Sequence, residues 1–94
     1  MISIEAYKDY LVEKEYKEFT DNGAPSTVGH YARYVELVRK ERGFLTLSDM
    51  ANEIDTLVEE YDDGGKYSKE GERGHETCIN ALKRFKEFLA FLEK

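Results

Sequence analysis

The stretch HETCINALKRFKEFLAFLEK, residues 75–94, decides how the chain folds. Cys78, Leu82, Phe85, Leu89 and Leu92 recur at steps of three and four, with Ile79 and Phe88 on their flanks. That spacing gathers large apolar side chains on one side of an α-helix, and each contributes about 1.5–3 kcal/mol when fully buried. The same stretch packs Lys83, Arg84 and Lys86 into four positions. A helix from about residue 72 to 92 therefore has a core side, and Arg73, Thr77, Asn80, Lys83 and Arg84 lie off it.

Three more amphipathic segments precede it. The first is predicted over residues 3–19, with Ser3 as N-cap and Ile4, Tyr7 and Leu11 as its stripe, Tyr10 alongside. TDNGAP, residues 20–25, ends it, because Asn-Gly and Pro are strong turn formers. The second starts at Ser26 and carries Val28, Tyr31, Ala32, Val35 and Val38, with Gly43 as its C-terminal stop. The third has Thr46 and Asp49 at capping-box spacing, then Leu47, Met50, Ile54, Leu57 and Tyr61, widened by Ala51 and Val58. DDGGKYSKEGERG, residues 62–74, holds four glycines and is predicted to be a mobile loop. No strand-like alternation and no internal repeat interrupts this order. The fold class is all-α: one helical domain over residues 1–94, a four-helix bundle with a long loop before the last helix.

Composition narrows the function. No run of about 18 apolar residues spans a membrane. The acidic N-terminal stretch lacks a signal-peptide apolar core, which predicts a cytoplasmic protein. A single cysteine, Cys78, permits no disulfide within the chain and no cysteine-based zinc site, and its place on the stripe makes it a small core residue. His30 and His75 are the only histidines and form no metal signature; no cofactor is expected. Tyr7, Tyr31 and Tyr61 fall on core stripes, and no Arg/His cluster accompanies a tyrosine, so no phosphoryl-transfer site is indicated. GGKYSKEG, residues 64–71, lacks the spacing of a phosphate loop. Glu59, Glu60, Asp62 and Asp63 lack calcium-loop spacing and read as a solvated helix end that frays. No catalytic residue emerges, and the chain is not expected to be an enzyme.

Net charge is −6, which by itself argues against nucleic acid. The distribution is uneven. Residues 1–25 carry −3 and residues 44–64 carry −7, whereas residues 26–43 and 65–94 each carry +2. On the second segment His30, Arg33 and Lys40 lie away from the apolar stripe. If the second and fourth helices pack side by side, their outer faces form one basic patch.

The order of pieces resembles the core-binding domain of tyrosine recombinases, the phage integrases. The pieces are IEAYKDYL at residues 4–11, STVGHYARYVELV at 26–38, LTLSDMANEI at 45–54 and TCINALKRFKEFL at 77–89. The resemblance implies a SAM-like orthogonal bundle whose second and fourth helices face duplex DNA. It would place Ser26, Thr27, His30 and Arg33 on that side of the second helix, and Thr77, Asn80, Lys83 and Arg84 on that side of the fourth. The family's catalytic domain does not follow within these residues, so the implied activity is non-catalytic DNA binding, as an accessory to or remnant of a mobile element. That face requires the cations of both helices on a shared surface, unpaired with neighbouring carboxylates. The competing expectation is a small phage or mobile-element regulator or inhibitor that meets a basic protein with the acidic first and third segments, with Val12, Leu37 and Phe91 as exposed anchors.

Overall fold

The computed structural model describes residues 2–93, and its regular elements are six helices. These are α1 (Ile4–Glu13), α2 (Thr27–Glu41), α3 (Leu47–Ala51), α4 (Ile54–Tyr61), α5 (Ser68–Gly71) and α6 (Arg73–Leu92). The chain is an all-α helical bundle with one contiguous core. Its Cα radius of gyration, 12.7 Å, suits a single domain of this length.

α6 is the element on which the bundle is organised. Its apolar side buries Cys78, Ile79, Ala81, Leu82, Phe85 and Phe88, and α1, α2, α4 and α5 all pack on it, α2 most extensively. α2 contributes Val28, Ala32, Val35 and Val38, as the helical spacing predicts. Tyr7 of α1 is fully buried; its ring meets Phe85 edge-on at 5.4 Å, and its hydroxyl donates to the Ala81 carbonyl at 2.9 Å. Tyr7 thus packs as a hydrophobe while its one polar atom is satisfied, the condition for burying a tyrosine at little cost.

Four features depart from the sequence reading. The first helix stops at Glu13 rather than near Phe19. There the Glu15 N–H donates to the Val12 carbonyl and the Tyr16 N–H to the Leu11 carbonyl, with Glu15 at φ +70°. This is the Schellman closure that Gly43 makes at the end of α2, but with a residue that signals no stop. The third segment is two helices, because the backbone leaves the helix at Asn52–Glu53 and restarts, which buries both Met50 and Ile54. The bundle therefore has six helices rather than four.

The glycine-rich stretch is a built element rather than a loose loop. It contains α5, and the Tyr61 and Tyr67 rings stack at 5.4 Å. Gly71 lies so close to the Tyr61 carbonyl that a Cβ there would sit 1.9 Å from its oxygen. Finally, the first turn of α6 is interrupted: Gly74, His75 and Glu76 hold φ values of 66°, 57° and 70°. Three successive left-handed residues cost roughly 1–2 kcal/mol for each non-glycine member. The turn breaks what would otherwise run on from α5 and sets the direction of α6.

Candidate functional site

α2 and α6 do lie side by side, but their cations fare differently. On α6, Arg73 grips the Glu41 carboxylate of α2 with two nitrogens, at 2.9 and 3.2 Å. Lys83 pairs with Asp62 at 3.3 Å, and Arg84 with Glu87 at 3.0 Å. Arg84 also donates to the Tyr16 hydroxyl at 3.3 Å, and its buried Nε finds no acceptor among the described residues. Lys83 reaches toward the end of α4 and Arg84 toward Tyr16 after α1, so neighbours in sequence engage different parts of the chain. Thr77 donates its hydroxyl to the Gly74 carbonyl, and Asn80 is half-buried.

On α2 the outer face is different. His30, Arg33 and Lys40 are exposed and hold no carboxylate among the described residues, with Leu37 between them. Ser26 occupies the N-cap position without a side-chain capping bond, and Thr27 opens the helix; both are half-buried. The residues expected to face DNA therefore divide into an open strip on α2 and an engaged set on α6.

Ion pairing shapes the whole surface. Six Lys or Arg side chains hold a carboxylate: Arg39, Arg42, Arg73, Lys83, Arg84 and Lys86. Of the 20 Asp and Glu side chains, 14 hold no cation among the described residues. Among the described residues, ion pairing engages nearly half of the Lys and Arg side chains and less than a third of the Asp and Glu side chains.

The sequence reading missed a clasp where α2, α4 and α5 meet. Tyr61 donates to Glu41 at 2.8 Å, Arg42 binds Glu60 at 2.8 Å, and the Arg42 guanidinium lies 4.7 Å from the Tyr67 ring centre. Arg73 also donates to the Glu70 carbonyl at 2.7 Å and to the Cys78 thiol at 3.5 Å. Burial acts to raise the Glu41 carboxyl, yet the bonds from Arg73 and Tyr61 outweigh it and hold that carboxyl below its ordinary value. Burial pushes the Cys78 thiol up, so this side chain stays protonated and inert. A pocket of about 340 Å³ opens beside Tyr61 and Tyr67. The Arg42 and Tyr61 donors in its lining already face acceptors of the chain, which makes the cluster a structural tie. Glu60 and Asp62 belong to such ties instead of fraying: Asp62 accepts from the Asp63 N–H and from Lys83, which hold its carboxyl below the ordinary value.

The three apolar anchors are exposed, on three separate helices: Val12 on α1, Leu37 on α2 and Phe91 on α6, where Phe91 also packs on Tyr10 at 5.2 Å. Phe19, Leu45 and Leu92 join them. A cleft of about 530 Å³ lies where the end of α6 meets the α3–α4 junction, with Ile2, Ala51, Ile54, Leu89 and Leu92 in its lining. No group of three or more His, Cys, Asp or Glu side chains is placed to hold a metal ion among the described residues, and no helix there is long and apolar enough to cross a membrane. No family model, no curated protein and no solved structure matches the chain, and the resemblance to recombinase core-binding domains stands on the residue pattern alone.

Proposed function

We propose that the chain is a non-catalytic interaction module whose partner is a basic protein segment. One observation carries this reading: 14 carboxylates stand outside every ion pair among the described residues, while Arg73, Lys83 and Arg84 are each tied to a carboxylate. Duplex DNA gains its affinity from cations that displace counterions at phosphates, and each such contact raises the salt dependence by about 0.9. Cations already held by the protein's own acids contribute that term only after their pairs are broken. An acidic surface favours a basic partner, by steering as well as by contact. Parallel titrations with a labelled mixed-sequence duplex and with a labelled lysine-rich peptide test the reading. At ~50 mM salt the account expects the peptide to bind and the duplex to stay free at tens of micromolar protein. The reverse order overturns it.

A second reading keeps DNA as partner through α2 alone, as the recombinase resemblance implies. Its support is the open strip of His30, Arg33 and Lys40. Charge reversal at Arg33 and Lys40 would then abolish duplex binding, while the first reading expects no duplex binding to lose.

A further inference from the structure

We infer that the cleft at the end of α6 is the docking groove for an amphipathic basic segment of a partner protein, helical on binding, whose apolar side fills the groove and whose Lys or Arg residues meet its rim. The inference rests on the acidic-surface reading above and assigns it a place. The cleft's volume, about 530 Å³, falls within the ~300–1,000 Å³ typical of ligand sites. Its lining is mainly aliphatic, and Leu92 remains 42% exposed there. An open apolar groove bounded by helices is the form that receives a partner's apolar helix face.

Charge selects the occupant. Among the described residues the lining carries Asp55 and Glu93 against a single cation, Lys86, and Lys86 is already paired with Asp55 at 2.9 Å. Glu53, exposed between two lining residues, also holds no cation among the described residues. The Asp55–Lys86 pair is solvent-exposed, at 79% and 52%, so an incoming Lys or Arg exchanges with it at little cost. An acidic segment or a phosphate backbone would meet like charge. So would a second copy of this chain, which brings the same acidic rim with its own Leu92.

The probe is an ~18-residue labelled peptide with Leu at helical spacing and Lys elsewhere, long enough for a helical face of several turns. One control replaces Leu by Ser and a second replaces Lys by Glu. Anisotropy is read against the intact chain. The Leu/Lys peptide is expected to bind at least ~10-fold more tightly than either control, and Leu92→Asp and Ala90→Asp to weaken it by ~10-fold or more. Both positions are exposed, so circular dichroism should show folded variants. Phe19→Asp, at an exposed position outside the cleft lining, should leave binding unchanged. Equal losses at Phe19 and Leu92, or none at Leu92 and Ala90, overturn the groove and leave the acidic-surface reading standing. No preference for Leu/Lys over Leu/Glu overturns that reading as well. Self-association of the chain alone, abolished by Leu92→Asp in sedimentation, would make a second copy the occupant and overturn the groove's proposed partner.

Discussion

α2 and α6 lie against each other and carry cations in similar number, yet their cations have different fates. On the outer face of α2, Arg33 and Lys40 point to solvent with His30 and touch no acid among the described residues. On α6, Arg73, Lys83 and Arg84 are tied to Glu41, Asp62 and Glu87. The difference comes from position in the bundle. Arg73 and Lys83 of α6 face α2 and the end of α4, which bring Glu41 and Asp62, while Arg84 is tied within α6 to Glu87. The outer face of α2 has no such neighbour. A sequence-level count of bases on two helices therefore says little about the charge that either presents.

The largest expected effect comes from breaking an engaged cation. Glu41→Ala leaves Arg73 and the Tyr61 hydroxyl without their acceptor and should cost about 1–3 kcal/mol in urea unfolding. Arg33→Ala on the open strip should change stability by no more than about 0.5 kcal/mol. Equal effects would erase the distinction between the two helices.

Next comes the turn that aims α6. Gly74 sits at φ +66°, and a Cβ there would meet the Tyr34 hydroxyl at 2.8 Å. Gly74→Ala is expected to cost about 1–2 kcal/mol. His75→Gly, at φ +57°, should instead stabilise by up to about 1 kcal/mol. A destabilising His75→Gly would show that the left-handed turn is not occupied in solution.

The pH dependence sharpens the same contrast. Glu41 and Asp62 have folded-state carboxyls below their ordinary values of 4.5 and 3.8. The unfolded chain thus binds more protons than the native one in that range. The stability from these ties is fully present above the ordinary values and is lost as pH falls through the folded ones. Melting temperature should fall on acidification below those values, and Glu41→Gln should flatten that limb. Arg33→Ala should leave the limb unchanged, and a flattened limb there would count against the comparison.

How far the sequence shows this architecture depends on how local each determinant is. Tyr7, Val35, Leu57 and Phe85 are buried where helical spacing puts them, because periodicity along one helix is a local property. The capping of α3 by Thr46 was equally legible, since its partner is the Asp49 N–H three residues on. The end of α1 was hidden because Glu15 takes a conformation usually left to glycine. The glycines of residues 64–74 were read as freedom, whereas Gly71 serves close approach and Gly74 the left-handed turn. Among the candidate site residues, exposure of Val12, Leu37 and Phe91 followed from their place off the stripes. The pairing of Arg73 with Glu41 spans 32 positions and exists only once α2 has docked on α6, so no local pattern announces it.

The ties on α6 hold Arg73, Lys83 and Arg84 against carboxylates that a duplex must displace. Converting Glu41, Asp62 and Glu87 to Gln, Asn and Gln releases Arg73, Lys83 and Arg84 together, with circular dichroism as the check on folding. In a labelled-duplex titration at ~50 mM salt, the account predicts no binding by the native chain at tens of micromolar. The triple variant should gain binding whose log–log salt slope approaches about 3, one unit for each freed cation. Tight duplex binding by the native chain, with a slope the triple variant does not increase, would contradict it.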